Sequence, residues 1–307
     1  MKFNMERKNL DLFSVVAMVI LCAIWGLQQV SIKSIAFDIS PVLQGAIRSV
    51  IATIAVYIVI YKKNIPLYLS RSVFKYGALA GLLFGLEFLF VNEGLRYTSA
   101  SHISVFIYTS PIFAALIIGY FLPEERLSIR QWLGIVICLI GVLVAFFMGG
   151  FQNTTTSLKG DILGLLAGLS LGATTAVIRC TKLAYAPATH ILYFQVLGAS
   201  IMLGIYAILS NQLIFKFSLF TISNILFQGL VVSFASFLVW FYIIKKYYVS
   251  QVGNIGFLTP VFGVLFSIFL LGEQLSHSFI MGSFLVLIGV LILSLPRKKI
   301  ITQEKKE

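Results

Sequence analysis

Long apolar stretches separated by short polar ones run along the whole chain. A helix needs about 20 consecutive apolar residues to cross a bilayer, and ten stretches near that length recur in the sequence. The predicted helices lie at 12–32, 42–61, 76–92, 103–122, 132–148, 161–178, 191–209, 222–244, 252–271 and 279–295. Strands of a membrane barrel alternate in polarity and run about ten residues. The pattern therefore predicts an all-α polytopic membrane protein.

The composition agrees with this fold class and excludes a soluble protein. The chain is 59% hydrophobic and 11% charged, whereas a soluble domain carries about 25% charged residues. The net charge of +12 does not indicate nucleic acid, because basic residues of membrane proteins collect in cytoplasmic loops. Three widely spaced cysteines show no metal-binding spacing, so no metal or other cofactor is predicted.

The distribution of positive charge predicts the orientation. The basic N-terminus precedes an apolar run at 12–32 without a cleavage pattern, so this run is expected to stay as the first helix. Ten crossings place both termini on one side. With that side in the cytoplasm, eighteen Lys and Arg residues lie inside and four outside. This asymmetry predicts cytoplasmic termini.

The chain repeats itself at an offset of about 148 residues. "SASHISVFIYTSPIFAALIIGYFLPEERLS" in the first half matches "YVSQVGNIGFLTPVFGVLFSIFLLGEQLS" in the second, with Pro111 opposite Pro260 and Glu125 opposite Glu273. The repeats are assigned to residues 1–150 and 151–307.

Five helices per repeat imply that the two repeats enter the membrane from opposite sides, because five is an odd number. Such inverted repeats are typical of transporters that bind a substrate near the midplane, between the halves. A duplicated structural membrane protein is the alternative.

Pro111 and Pro260 fall in the middle of the fourth and ninth predicted helices. Proline removes a backbone hydrogen bond and kinks a helix. Thr109, Ser110 and Thr259 are expected to bond the freed carbonyls. The matched kinks are interpreted as paired hinges, with simple packing kinks as the alternative.

Two charges lie inside apolar segments, Arg48 in the second and Glu87 in the third. At about 1.5 Å per residue, Trp25, Arg48, Glu87 and Tyr108 are predicted to lie in one layer. Charges at this depth pair or face a cavity. Two readings stay open: an ion pair that fixes two helices, or a pair that borders a substrate path.

On the second reading, Arg48 receives a substrate carboxylate, and Glu87 holds a proton or a substrate ammonium. The repeat alignment places Gln195 opposite Arg48 and Ser236 opposite Glu87, so the charges are confined to one repeat. Glu93 is expected at the rim beside Arg96.

Aromatic residues make up 14% of the chain and are predicted to line part of a cavity, although packing alone is the alternative reading. Mostly apolar walls with few polar groups suit a small-molecule site. The candidates are Trp25, Tyr108, Trp240 and Phe257.

The stretches "WGLQQVSIK", "EGLRYTSASHISVFIYTSPIF", "LPEERLSIRQWLGIVICLIGVLV" and "FLTPVFGVLFSIFLLGEQLS" resemble the EamA-type branch of the drug/metabolite transporter superfamily. The resemblance covers nearly the whole chain. It implies ten transmembrane helices in two inverted repeats, a bacterial inner membrane, and movement of small metabolites, often by export. Members that resemble this chain include amino-acid exporters, but the family does not fix a substrate, and the expected substrate is an amino acid or a related amphipathic compound.

Other classes of protein fit the sequence less well. The chain has no HExxH, and its one G-x-S-x-G match, "GLSLG", lies inside an apolar helix rather than a strand-to-helix turn. It has no phosphate-binding loop, so an enzyme is not expected and no ATPase subunit is required. The expected partners are a small-molecule substrate and membrane lipids. A lipid or lipid-linked metabolite flippase, or a channel-like pore, remains the alternative.

Overall fold

The computed structural model describes residues 11–65, 70–147, 155–247 and 255–294. Within these ranges the chain is helical, and the one pairing of extended residues is an isolated bridge between Ile39 and Phe215. The basic N-terminal and C-terminal tails and the predicted repeat boundary at residue 150 lie outside the described residues.

Each predicted segment overlaps a helix of the structure. The helices are α1 (Leu12–Ser34), α2 (Pro41–Lys62), α3 (Arg71–Tyr97), α4 (Ala100–Phe121), α5 (Ile129–Phe147), α6 (Thr155–Cys180), α7 (Ala188–Leu209), α8 (219–246), α9 (Leu258–Leu271) and α10 (His277–Ser294). Eight of them are long and apolar enough to cross a membrane, whereas the apolar helices Ile129–Ala145 and Leu258–Leu271 are shorter. The fold is therefore that of a polytopic helical membrane protein, and ten crossings remain a prediction.

Short polar turns set the helix ends. Ser40 and Ser70 accept hydrogen bonds from the first turns of α2 and α3 through their hydroxyl oxygens, which satisfies donors that the helix leaves free. Pro41 opens α2 at a position where its missing N–H costs nothing. Gly272 ends α9 in the left-handed conformation, at φ 67°, which glycine adopts without a steric penalty.

Helices α5 and α10 pack at backbone contact. A methyl group added to Gly141 would lie 2.6 Å from the backbone nitrogen of Val286 and 2.7 Å from the carbonyl of Gly282. Gly134 meets the carbonyl of Gly289 in the same way, at 2.6 Å. The glycines therefore pair in opposite chain directions, and only residues without a side chain allow this approach.

A second close contact occurs twice. In α1, a methyl group on Gly26 would meet Thr259, Phe262 and Gly263 of α9; in α6, one on Gly172 would meet Ser110, Phe113 and Ala114 of α4. The two sets differ by 146 residues at the glycine and by 149 at each partner. Each contact joins one half of the chain to the other.

Helix α4 is interrupted where the sequence predicts a kink. Its parts Ala100–Phe106 and Ser110–Phe121 are joined by one 3₁₀ turn, Ile107–Thr109, directly before Pro111. Thr109 donates its hydroxyl hydrogen to the carbonyl of Phe106 at 2.7 Å. The carbonyl four residues before Pro111 is that of Ile107, and it accepts from the backbone N–H of Ser110, so Thr109 does not make the predicted bond.

Pro260 follows a similar interruption, since residue 257 is a turn between short helical residues and α9. The expected role of Thr259 is wrong, because its buried hydroxyl has no hydrogen-bond partner. Gly256, four residues before Pro260, has the carbonyl that the proline leaves free. That carbonyl accepts from the Tyr108 hydroxyl at 2.8 Å, so Tyr108 does what was expected of Thr259.

Helix α8 changes its winding along its length. Residues Leu219–Leu226 and Ser236–Lys246 are α-helical, whereas Phe227–Ala235 between them form a π-helix. No pattern in the sequence predicts this segment. A π-helix has wider turns than an α-helix and is frequent at functional sites.

Candidate functional site

Arg48 of α2 is completely buried. Its three guanidinium nitrogens have no hydrogen-bond partner, and the guanidinium carbon lies 4.2 Å from the centre of the Phe88 ring. Buried charges are normally paired and hydrogen-bonded because losing water is costly. Arg48 therefore presents five unused N–H groups to the inside of the helix bundle.

Glu87 of α3 is 5% exposed, and its Oε2 atom has no hydrogen-bond partner. Its charge interacts with that of Arg48, but no ion pair within 4.0 Å joins the two among the described residues. The reading of these residues as a salt bridge that fixes α2 to α3 is therefore not supported, since Arg48 lies against the Phe88 ring instead. The two charges are near each other and unsatisfied.

A chain of aromatic contacts leads from Arg48 to Trp25. The Phe88 ring lies 4.5 Å from that of Phe84, between ring centres. Phe84 contacts Phe237 of α8 at 6.2 Å, and Phe237 contacts Trp25 at 5.9 Å. Phe84 and Phe237 were not predicted, because nothing in the sequence distinguishes them from the other phenylalanines.

The structure brings together three of the predicted residues at one end of this chain. Trp25 donates its indole N–H to the Ser236 hydroxyl at 2.9 Å, and its ring centre lies 5.6 Å from that of Trp240. The predicted neighbours of α1 and α8 thus meet in space. Sequence alone places each of them only at a depth along its own helix.

A hydrogen bond between two amide side chains joins α2 to α8 one turn before Arg48. Gln228 of α8 donates through Nε2 to the Oε1 atom of Gln44 at 2.9 Å, and Gln44 donates to the carbonyls of Ile32 and Ile39. Both glutamines are completely buried. Their presence in apolar segments was a signal in the sequence, because polar groups inside a membrane are costly.

Neighbouring contacts place Arg48 on the face of α2 that packs against α8. Gln44, Arg48 and Ile51 are spaced four and three residues apart and so share one face of α2. Gln44 contacts Gln228, and Ile51 lies 2.8 Å from where a methyl group on Gly229 would be. Arg48 sits between these two contacts, on the side of the π-helical segment.

Three predicted site residues take no part in the ring contacts and hydrogen bonds that join Arg48 to Trp25 and Ser236. The Tyr108 hydroxyl is bonded to Gly256. Phe257 packs against a hydrophobic cluster formed chiefly by α5 and α10. Gln195 of α7 is buried, and the contacts that join Arg48 to Trp25 do not pass through it.

Two further clusters of polar side chains lie at helix ends. The Glu273 carboxylate accepts from the backbone nitrogens of Ala100 and Ser101 at 2.7 and 3.1 Å, and from the Ser101 hydroxyl at 2.7 Å. Asp161 accepts from the Thr98 hydroxyl at 2.6 Å and pairs with the His102 ring nitrogen at 2.9 Å. These contacts were not predicted from the sequence.

Glu93 makes its predicted contact but is not a surface residue. Arg96 lies 2.9 Å from its carboxylate, yet Glu93 is 7% exposed. It also accepts from Gln212 Nε2 at 2.5 Å. The carboxylate is therefore part of the packed interior, because two neighbours satisfy it there.

At the other end of the bundle, Asp11 joins the start of α1 to the end of α8. The backbone N–H of Ser14 donates to one carboxylate oxygen at 2.8 Å, and the Tyr247 hydroxyl donates to the other at 2.7 Å. These bonds, that of Ser14 first, lower the pKa of Asp11 to about 2. The link is therefore intact at neutral pH.

No cluster of three or more potential metal ligands occurs among the described residues. The buried groups around Arg48 are instead hydrogen-bond donors and acceptors without partners, bordered by aromatic rings. Mostly apolar walls with a few polar groups are typical of small-molecule sites.

The fold is that of a multi-pass helical membrane protein, and the buried polar atoms of Arg48 and Glu87 that lack hydrogen-bond partners mark a candidate site. The chain belongs to the EamA-like transporter family, whose model matches residues 12–147 and 158–295. The family resemblance noted in the sequence is thereby confirmed, and membership indicates a transporter rather than an enzyme.

Several curated relatives match over most of their length. The uncharacterized transporter YoaV of Bacillus subtilis (strain 168) is 25% identical over 87% of this chain and 91% of its own. A probable amino-acid metabolite efflux pump of Salmonella typhimurium is 23% identical over 88% and 90%, and one of Escherichia coli (strain K12) is 23% identical over 94% and 95%. A solved crystal structure at 17% identity covers 91% of this chain and 95% of its own with a TM-score of 0.64, which supports the fold.

Proposed function

We propose that this protein is a secondary-active or facilitative transporter that exports an amino acid or a related amphipathic metabolite. The observation that carries the proposal is the completely buried Arg48, whose three nitrogens lack partners. A carboxylate suits the guanidinium, which binds it with two parallel hydrogen bonds. Two relatives are named as probable amino-acid metabolite efflux pumps.

The unsatisfied atoms fit a zwitterion. Arg48 supplies the free donors, whereas Glu87 Oε2, Gln29 Oε1 and Gln228 Oε1 are buried acceptors without partners. A substrate carboxylate at Arg48 and an ammonium at these acceptors would satisfy both sets. The rings between Phe88 and Trp25 would take an apolar side chain. Glu87 is also the candidate for proton exchange.

Transport would proceed by alternating access between two inverted repeats, residues 1–150 and 151–307, with ten crossings. The crossed contacts at Gly26 and Gly172, and the opposed glycines of α5 and α10, support a two-fold axis in the membrane plane. Pro111 and Pro260, each next to a break in its helix, would act as hinges.

The proposed location is a bacterial inner membrane with both termini in the cytoplasm, surrounded by lipid. The excess of Lys and Arg residues in the segments predicted to be cytoplasmic and the bacterial relatives support this location. No resident cofactor or ATPase subunit is required, because a substrate or proton gradient would supply the energy.

The test measures ligand-induced thermal stabilisation of the purified protein. The ligands are the twenty amino acids, with 3-phenylpropanoate and phenethylamine as analogues of L-phenylalanine that lack the ammonium and the carboxylate. We expect L-phenylalanine to stabilise the protein more than either analogue. Arg48→Gln should weaken the binding of L-phenylalanine about 10- to 100-fold, because a hydrogen bond to a charged group contributes about 1.5–3 kcal/mol.

One control variant and one further site variant are compared with Arg48→Gln. Arg96→Gln removes a partly exposed guanidinium and should leave binding unchanged. Glu87→Gln, of nearly the same shape, should weaken L-phenylalanine but not 3-phenylpropanoate. Stabilisation by none of the amino acids would overturn the proposed substrate class. Scrambling of labelled phospholipid in proteoliposomes would favour a flippase, and unsaturable flux would favour a channel-like pore.

A further inference from the structure

The π-helical segment Phe227–Ala235 changes which side chains of α8 share a face. Its hydrogen bonds join residues five apart, so Gln228 and Ser233 lie one above the other. In an α-helix, residues five apart point about 140° away from each other. Asn224 lies one α-helical turn before Gln228. We call Asn224, Gln228 and Ser233 the polar stripe.

The polar stripe points toward the bundle interior. Asn224 accepts from the Ser31 hydroxyl of α1 at 2.7 Å, and also from Gln228 at 2.8 Å. Gln228 donates in turn to Gln44, one turn before Arg48 on α2. The stripe therefore faces α1 and α2, on the side where Arg48 lies.

The inner part of the polar stripe contains buried polar atoms that have no hydrogen-bond partner. Gln228 is completely buried and Ser233 is 2% exposed, and both Gln228 Oε1 and the Ser233 hydroxyl lack partners. The two bonds donated by Gln228 Nε2 fix which atom of its amide is the free acceptor. Burying such groups without partners is costly, and a passing substrate would satisfy them.

The other end of the stripe opens on a groove. This groove, of about 470 Å³, lies between α1, the start of α8 and the end of α9, and its lining includes Val30, Ser31, Phe220, Asn224, Phe227 and Leu271. Its volume falls in the usual range of small-molecule sites, about 300–1,000 Å³. Asn224 belongs both to the groove and to the stripe.

We propose that the polar stripe forms one wall of the substrate passage between the groove and Arg48. Gln228 is its specificity-determining residue and accepts a hydrogen bond from the substrate's amino group. The ligand class is an amino acid with an apolar side chain. This identity of the ligand rests on the proposed function, whereas the path itself does not.

The path is tested by the reactivity of single cysteines in the full-length protein, after replacement of Cys22, Cys138 and Cys180. Asn224→Cys, Gln228→Cys and Ser233→Cys should react with the charged reagent 2-sulfonatoethyl methanethiosulfonate. Leu226→Cys and Leu230→Cys, whose native side chains are exposed on the outer surface of the bundle, serve as controls. We expect the stripe to react at least tenfold faster than the controls.

The register within α8 is tested by Val231→Cys. If α8 were α-helical throughout, position 231 would share the face of Gln228 and position 233 would not. Reaction at 231 without reaction at 233 would overturn the alignment of the stripe. Equal rates at all positions would overturn the passage.

The role of Gln228 is tested by the binding of L-phenylalanine and of 3-phenylpropanoate, which lacks the amino group. Gln228→Leu should reduce the preference for L-phenylalanine about tenfold while 3-phenylpropanoate still binds. Gln131→Leu, the same change in α5, should keep the preference. An unchanged preference in Gln228→Leu would overturn the role of Gln228.

The outcomes separate this inference from the proposed function. A reactive stripe that no amino acid protects would establish the passage and refute the substrate class. An unreactive stripe, in a protein that binds L-phenylalanine through Arg48, would refute the passage and leave the proposed function standing.

Discussion

Single polar residues in the bundle divide into two groups. Glu273, Asp161 and Glu93 have their carboxylates bonded by neighbouring donors. Arg48 and Gln228 are buried with free donors or acceptors. Because an unpaired polar group in a membrane interior is costly, we interpret the first group as structural and the second as awaiting a ligand.

The structural role of Glu273 can be tested by Glu273→Gln. The variant loses the charge beside the start of α4 and replaces one acceptor oxygen with a donor, which faces the donors of Ala100 and Ser101. We expect a loss of about 1–3 kcal/mol of stability, measured as a lower Tm in detergent. Asp38→Asn, in the turn between α1 and α2, is the control. An equal Tm in both variants would contradict the bracing role of Glu273.

At the scale of helices, packing relies on positions that have no side chain. Gly134 and Gly141 of α5 meet the backbone of α10, and Gly26 meets the backbone of α9. Lipid tails are as apolar as the helices, so close van der Waals contact has to hold them together. The glycines therefore set how near the helices lie.

A pair of alanine substitutions tests this packing. Gly141→Ala would place a methyl group 2.6 Å from a backbone nitrogen of α10, whereas Gly204 of α7 has open space around it. We expect Gly141→Ala to lower the Tm, since backbone has to move. Gly204→Ala should keep or raise it, because alanine is favoured over glycine in a helix by about 0.5–1 kcal/mol. A similar change of Tm in both variants would indicate that α5 and α10 are loosely packed.

For the whole molecule, the arrangement of the two halves matters most. Contacts of Gly26 with α9 and of Gly172 with α4 join each half to the other through equivalent residues. Two halves that are joined by equivalent contacts can rotate relative to each other around a site between them. That site would be bordered by Arg48, Glu87 and the polar stripe.

The orientation of the molecule leads to a separate prediction. Phe217 lies just before the start of α8 and is 80% exposed. Tyr185 lies shortly after the end of α6 and is 92% exposed. In a cysteine-free background, Phe217→Cys should react with a membrane-impermeant maleimide on intact cells. Tyr185→Cys should react only after permeabilisation, because its loop is predicted to be cytoplasmic. The reverse pattern would invert the proposed topology.

Sequence reasoning located the helices better than the site. It found Arg48 and Glu87 because charges stand out in apolar segments, and it found the break before Pro111 because proline cannot continue a helix. It missed Phe84 and Phe237, which look like any other apolar residue. It also gave Thr259 a bond that Tyr108 makes instead, since the partner of a carbonyl depends on a distant helix.

The sequence by itself determined that the chain is a multi-pass helical protein of a transporter family, and where its unusual charges lie along the helices. Those properties follow from local composition, since the length of an apolar run decides whether it can span a bilayer. Only the tertiary structure decided that the Arg48 guanidinium has no hydrogen-bond partner, that Trp25 reaches Ser236, and that a π-helix aligns Gln228 with Ser233. These features depend on contacts between residues far apart in the chain, or on a local change of winding that no composition pattern marks.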